Sequence, residues 1–376
     1  MKVTQVVIAS LLKPVDDTRM YEKLGLSMAE TNKYEVNIIG FESKNISSYS
    51  NIHFHPLKTF PRLSLVRVFK PFGVFKKYLQ LKPSIIIVNT HDLLLVTMIY
   101  KILFGCKIIY DIRENYKANL LYTPVFPTYL RPLLSLWVRG KEWLTQPWIN
   151  HYTLAEKAYA RQLPFIGEKF TVIENKYQPI AKEDDKKRPV HPAGLNLLIT
   201  GTLSASNGLF DAIKVTEALH HLDDRVKLKL VGRCALATDR THLNEMMATR
   251  PYISIKGNTT LVPHEEIVQE IKKADFGLVF KRSNQGVNDD KILTRLYEYV
   301  ALGLPMLMLP LPNWVTFCEK YNAALVVEPE QFDAQAILTQ MTQNTFYTQG
   351  NISEILWENE APKWLNVLEE ISASRP

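Results

Sequence analysis

The sequence predicts two doubly wound α/β halves, each a parallel sheet covered by helices on both faces. Three observations carry this. Short continuous apolar runs alternate with helical patterns, polar residues cluster where those runs end, and a charged, proline-containing stretch splits the series in two. A chain of 376 residues with 46% hydrophobic and 22% charged residues has material for two cores and is not a disordered polymer.

Val3 to Ala9 is a β-branched run, followed by a turn at Pro14 and a helical pattern from Thr18 to Glu30 with Asp17 placed as its N-cap. Val36 to Gly40 is the next strand. In KPSIIIVNTHDLLLVTMIYKILFGCKIIYDIREN, a buried strand (Ile85 to Val88) leads through a loop to a helix from Asp92 to Gly105 and a second strand, Lys107 to Ile112. Asn89, Thr90, His91 and Asp92, then Asp111, Arg113 and Glu114, fall where these strands end, the edge at which open α/β sheets bind ligands. Asp92 also suits the N-cap of the helix that it starts. After a strand at Phe170 to Ile173 comes the polar linker, residues 179–196.

The second series opens with Leu197 to Thr200, a glycine turn GTLSASNG, a helix from about Leu209 to His220 and a strand from Lys227 to Val231. A helix at Pro263 to Lys273, a strand at Phe276 to Phe280, a helix from about Asp290 to Leu302, and strands at Met306 to Leu309 and Leu325 to Val327 complete it. The closing ISEILWENEAPKWLNVLEEI spaces Leu356, Trp357, Trp364, Leu365 and Leu368 as an amphipathic helix.

Several function classes are excluded. Three widely spaced cysteines, Cys106, Cys234 and Cys318, support neither a disulfide framework nor a structural zinc site, and suit a reducing cytosol. HExxH, GxSxG and GxGxxG are absent, so metalloprotease, serine hydrolase and dehydrogenase chemistry lack support. The opening residues run into Asp16, Asp17 and Arg19 without a cleavage site, and the apolar run from Leu93 is broken by Lys101. Neither a secretory peptide nor a transmembrane helix is expected.

Charge divides the chain. Residues 1–188 carry 28 Lys+Arg against 16 Asp+Glu and residues 189–376 carry 17 against 22, although the net charge is only +7. Residues 51–150 are the most skewed, with 14 basic against 4 acidic. An anionic partner is implied for the first half: nucleic acid, an acidic membrane or a phosphorylated substrate. PRLSLVRVFKPFGVFKKYLQLK, with Arg62, Arg67, Lys70, Lys76 and Lys77 beside Leu65, Phe69, Phe72 and Phe75, and the stretch from Tyr129, YLRPLLSLWVRGKEWL, suit either an interfacial segment or a core-facing helix with a solvated basic face.

The strongest chemical signal is NDDKILTRLYEYVALGLP, residues 288–305, where one helix would place Lys291, Arg295 and Glu298 at i, i+4 and i+7. Two like charges one turn apart conflict, and a diphosphate near the helix N-terminus would relieve that conflict, while Glu298 could accept from ribose hydroxyls. The same spacing also describes a solvated helix with an Arg295–Glu298 pair. GTLSASNG could bring backbone N–H groups to a phosphate, or be a plain βα turn.

These segments together resemble the retaining GT-B glycosyltransferases of family 4. DDTRMYEKLGLSMAE, SIIIVNTHD, KIIYDIREN, FTVIEN, LLITGTLSASNGLFDAI, KLVG, ADFGLVF and RLYEYVALGLP occur in that family's order over nearly the whole chain. The resemblance implies two Rossmann-like domains facing a central cleft. Residues 1–178 would hold the acceptor and 197–350 the nucleotide-sugar donor, with 351–376 packing back on the first domain. It places Glu298 at the second glutamate and Asp290 at the first of the family's E-x7-E motif, and Arg295 where relatives carry a phosphate-binding lysine. Gly201, Thr202, Asn207, Gly208, Arg233, Lys281 and Leu296 join Lys291 on the implied donor surface, with Arg282 a further helper. Thr202 and Asn207 replace the arginine and lysine that many members place in the glycine turn, and Arg113 stands where relatives often have histidine. The catalytic-face candidates are therefore His91, Asp111, Arg113 and Glu114.

The implied reaction moves a sugar from a nucleoside diphosphate sugar, a substrate and not a cofactor, to a hydroxyl of a glycan or lipid-linked acceptor, with retention and without metal. The expected setting is cell-surface polysaccharide or lipopolysaccharide synthesis on the cytoplasmic membrane face, with the basic half docked on anionic lipid. A nucleotide-sugar epimerase of the same fold and a basic nucleic-acid-binding protein are the alternatives, the second lacking any recognised binding motif.

Overall fold

Strands form where the apolar runs predicted them, and three more, Ile52–Leu57, His151–Leu154 and Ile253–Asn258, form where no run predicted one. In the first unit they are β1 (Thr4–Pro14), β2 (Tyr34–Phe41), β3 (Ile52–Leu57), β4 (Ile85–Val88), β5 (Lys107–Ile112), β6 (His151–Leu154) and β7 (Phe170–Val172). In the second they are β8 (Asn196–Thr202), β9 (Lys227–Arg233), β10 (Ile253–Asn258), β11 (Phe276–Val279), β12 (Met306–Met308) and β13 (Ala324–Val326). The structure, a computed structural model, describes residues 3–43, 49–60, 64, 66–122, 126–179, 195–282 and 291–373. Most of the predicted linker, 180–194, and Arg62, Leu65 and Asp290 lie outside them.

Among the described residues both sheets are parallel, ordered β3-β2-β1-β4-β5-β6-β7 and β10-β9-β8-β11-β12-β13. In each the order reverses beside the first strand, at β1/β4 and at β8/β11. Connections leaving such a pair go to opposite faces, which opens a crevice outside the carboxyl ends of the strands.

Alternation along β1 builds both faces of the first sheet. Val7 and Ala9 join Ile86, Val88, Val74 and Tyr100 on one side, and Val6 and Ile8 join Ile85, Ile87, Met20 and Leu24 on the other. The second side is completed from the far end of the chain. Trp357, Trp364, Leu368 and Ile371 belong to that cluster, with Trp357 Nε1 donating to Ser27 Oγ (2.9 Å) and Trp364 Nε1 to the Leu24 carbonyl (3.2 Å). One unit is accordingly Met1–Gln178 with Trp357–Pro376, and the other Pro179–Leu356.

Four helices differ from their sequence patterns. The pattern from Thr18 begins as a π-helical turn, Thr18–Gly25, that runs into Leu26–Glu30, and Asp17 caps it through the Arg19 and Met20 N–H groups. A 3-10 turn, His91–Leu93, precedes Leu94–Phe104, so Asp92 is not an N-cap; its carboxylate instead accepts Arg67 Nη2 at 2.7 Å. The helix expected from Asp290 is Thr294–Ala301, entered through extended Leu293 (ψ 143°). Lys291 therefore lies ahead of the helix and shares no helical face with Arg295, which removes the i, i+4 conflict. The closing segment is two short 3-10 turns, Ile352–Ile355 and Trp357–Asn359, before the helix Ala361–Ala373.

Candidate functional site

In the second unit the crevice at the β8/β11 reversal is built from the glycine turn, the start of Leu209–Leu222 and the first turn of Thr294–Ala301. Gly208 sits at the N-cap with φ +80°, and a Cβ there would meet the Phe280 carbonyl oxygen at 2.3 Å, so the turn lies directly on the end of β11. Gly232 is equally constrained: a Cβ would fall 1.7 Å from the Gly201 carbonyl oxygen. Asn207 Nδ2 is used within the turn, donating to Ser204 Oγ at 2.7 Å. No side chain caps the helix that follows; Leu209 N–H donates to the Ser204 carbonyl at 3.2 Å, and the Phe210 and Asp211 N–H groups are left for another acceptor.

Arg295 is brought into this crevice. Its Nη2 is 3.4 Å from the position of a Cβ on Gly201, and its Nη1 is buried without a hydrogen-bond partner. Fixing the helix that carries it, Leu296 is fully buried and Tyr299 bonds Thr200 Oγ1 at 3.0 Å. Glu298, 9% exposed, does not pair with Arg295; His264 Nε2 lies 3.1 Å from its Oε1. His264 opens the helix His264–Lys273, and sequence reading missed it because only the fold brings it beside residue 298.

The remaining donor-side candidates divide. Thr202 and Arg233 are exposed at the ends of β8 and β9, and Lys281 follows β11 half-buried. Lys291 is buried, its carbonyl accepting Trp314 Nε1 at 2.7 Å. Arg282 is drawn into a surface acidic network, with Nε 3.1 Å from Asp211 Oδ2 and Nη2 2.7 Å from Glu328 Oε1.

The carboxyl edge of the first sheet gathers the other candidates. Asp111 is fully buried, and its oxygens take Arg19 (2.7 Å), Asn89 Nδ2 (2.6 Å) and Thr153 Oγ1 (2.8 Å). Arg19 also donates to the Ile173 carbonyl and Asn175 Oδ1, so the pair ties the π-helical turn to β5 and the strand ends beyond it. Asp111 is thereby an anchor with no surface of its own. Arg113 holds Asp17 with both Nη groups, at 2.7 and 3.1 Å. Burial favours the neutral acid, yet Arg113 and then Lys13 hold the Asp17 carboxyl well below the usual carboxylate range.

His91, 6% exposed, lies 2.9 Å from Lys141 Nζ through Nδ1 and stands edge-on to Tyr116, 4.8 Å between centroids. Burial lowers the Lys141 ammonium. Asp92 is lowered overall, burial being outweighed by His91 and Arg67. Glu114 accepts Asn119 Nδ2 at 2.7 Å. The edge is thus a linked polar network, Arg67–Asp92–His91–Lys141 on one side and Asp17–Arg113 on the other. No group of three metal-ligating side chains occurs among the described residues.

No protein-family model and no curated protein sequence matches the chain. Solved structures do. Sucrose-phosphate synthase from Thermosynechococcus elongatus superposes with a TM-score of 0.69 at 15% identity, over 100% of both chains. HepE from Anabaena, solved in complex with UDP-glucose, gives 0.65 at 12% identity over 98% of this chain and 100% of its own. A glycosyltransferase from Rickettsia africae gives 0.54 at 13% identity over 100% of both. At such identities the likeness is one of fold, and the fold is α/β of the GT-B type, in two parallel-sheet units.

Proposed function

We propose that this protein is a retaining glycosyltransferase that moves a sugar from a nucleoside diphosphate sugar to a hydroxyl of a glycan or lipid-linked acceptor in cell-surface polysaccharide synthesis. One observation carries the reading: a buried guanidinium nitrogen of Arg295 without a protein partner, beside Gly201 at the sheet reversal. A diphosphate there would receive Arg295 and the Phe210 and Asp211 N–H groups, and Glu298 Oε2 would accept from the ribose. HepE, of the same fold, was solved with UDP-glucose.

In the reaction the bond from the anomeric carbon to the diphosphate oxygen breaks, the acceptor oxygen bonds to the same face, and the acceptor proton passes to the departing phosphate. Positioned cations stabilise the charge that develops on that oxygen. The polar edge of the first unit, with His91, Arg113 and Glu114, serves the acceptor, and its basic excess favours an acceptor presented at the cytoplasmic face of an anionic membrane.

Thermal unfolding with UDP, GDP and ADP, then with their sugar conjugates, tests the donor: one series raises the melting temperature, because it binds the native state. The absence of stabilisation by all of them would overturn the proposal. Release of an altered nucleotide sugar without any acceptor would instead identify an epimerase.

A further inference from the structure

Helix Arg131–Thr145 is turned inside out. Leu133, Leu136, Trp137, Trp143 and Leu144 recur along one face and are 54–69% exposed, whereas Ser135, Val138, Lys141, Glu142 and Thr145 point inward. An amphipathic helix in a water-soluble unit ordinarily buries its apolar stripe. Polar contacts to the rest of the unit lock this one the other way: Lys141 Nζ with His91 Nδ1 (2.9 Å) and Tyr110 OH to Glu142 Oε1 (3.1 Å).

The neighbouring helices extend this surface. Val66–Leu81 exposes Val68, Phe69 and Phe72, and Leu94–Phe104 exposes Ile102, Leu103 and Phe104. Tyr100 joins these two through Tyr78 (5.5 Å between centroids), and Lys101 Nζ reaches the Trp148 carbonyl, at the end of the inverted helix, at 2.7 Å. Apolar exposure of this extent on one face marks an interaction surface.

Charge selects the occupant. Residues 51–150 hold 14 basic residues against 4 acidic ones; of the basic ones, Arg67, Arg113 and Arg139 pair with Asp92, Asp17 and Glu142, and Lys141 is buried. Lys70, Lys76 and Lys77 sit on the helix that exposes Phe69 and Phe72. A second copy would set these lysines against their own kind, while an anionic bilayer satisfies both the aromatic stripe and the lysines beside it.

We propose that this three-helix face inserts into the headgroup and upper acyl region of an anionic bilayer, with Trp137 and Trp143 as anchors and the lysines as the electrostatic approach. This deepens the acceptor side of the proposed function by naming the surface and making apolar insertion, more than charge alone, its mode.

The chain reports the event itself. Of its 6 tryptophans, Trp314, Trp357 and Trp364 are at most 2% exposed, so lipid quenching reads Trp137, Trp143 and Trp148. On phosphatidylglycerol vesicles with brominated acyl chains, emission is expected to shift to the blue and be quenched, and the protein to stay bound when salt is raised to about 0.5 M. Trp137→Gln with Trp143→Gln should lose the quenching and at least about tenfold in vesicle affinity, with the same far-UV circular dichroism and melting as the parent chain. Lys70→Gln, Lys76→Gln and Lys77→Gln together should instead remove the preference for anionic over neutral lipid. Three results would overturn the proposal: no vesicle binding, binding without quenching that salt fully reverses, or a lipid-free dimer that the double tryptophan variant dissociates. The experiment contains no donor or acceptor, so its failure is distinct from a failure of sugar transfer.

Discussion

Nη2 of Arg295 stands 3.4 Å from where a Cβ on Gly201 would sit, so the glycine turn and the guanidinium share one wall of the second unit's crevice. Arg295→Ala should weaken the binding of the preferred nucleoside diphosphate by roughly 10–100-fold, the worth of a charged hydrogen bond of about 1.5–3 kcal/mol. The melting temperature without ligand should hardly move, because Nη1 has no protein partner to lose. Titration calorimetry and unfolding measure the two effects; equal affinities would remove the phosphate role.

Glu298 has one oxygen committed to His264, which fixes the carboxylate with the other turned free. The parent protein should prefer a ribonucleoside diphosphate to its 2′,3′-dideoxy analogue, and Glu298→Ala should erase most of that preference. His264→Ala should reduce it by a smaller factor. A preference unchanged in Glu298→Ala would place the sugar ring elsewhere.

Arg19 and Asp111 are 92 positions apart and almost wholly buried, 1% and fully buried respectively. Arg19→Met or Asp111→Asn leaves the other member charged or underbonded inside the protein, and each should cost about 3–5 kcal/mol. The combined replacement Arg19→Met with Asp111→Asn should cost less than the sum. Denaturant unfolding of the four proteins gives the coupling, and strict additivity would contradict the pairing.

The Asp17–Arg113 pair makes the first unit acid-sensitive. Asp17 has a folded-state pKa below its unfolded value of about 3.9, so the unfolded state binds its proton first as pH falls. The stabilisation is therefore complete above about pH 5 and declines as the pH drops through 4 toward the lower folded value. Asp17→Asn should be less stable than the parent at pH 7 and show a shallower loss between pH 5 and 2. Parallel stability curves for the two proteins would refute this.

Cys106, Cys234 and Cys318 are all buried, and burial pushes the first and third thiols up to about 12. A thiolate-specific disulfide reagent at pH 7–8 should label none of them over minutes in the native protein and all 3 in denaturant. Rapid native labelling would show local opening.

Much of the framework was legible because strands buried on both faces spell themselves as unbroken apolar runs, as Ile85–Val88 and Phe276–Val279 do. Edge strands such as β3, in which Ile52 alone is buried and His53 and Pro56 are exposed, lack that run. Periodicity also identifies an apolar helical stripe without saying which way it faces. In the sequence Leu133, Leu136 and Trp137 suit core and interface equally; the structure turns them outward by holding Lys141 and Glu142 inside. The partner of Glu298 was hidden for another reason: His264 is 34 positions away, and only the packing of one helix start against the middle of Thr294–Ala301 joins them. Lys291 was misplaced because the helix begins later than the apolar pattern does, after an extended Leu293.

The tryptophan-bearing end of the chain has a consequence for biosynthesis. Val6, Ile8 and Met20 leave the ribosome early, yet the side of the sheet they form is closed by Trp357, Trp364 and Leu368. Pro179–Leu356 must be translated in between, which takes on the order of 10–35 s at about 5–20 residues per second. For that interval the nascent first unit carries an open apolar groove, a natural client surface for a chaperone. Truncations near the C-terminus will then be felt as a folding defect of the N-terminal unit.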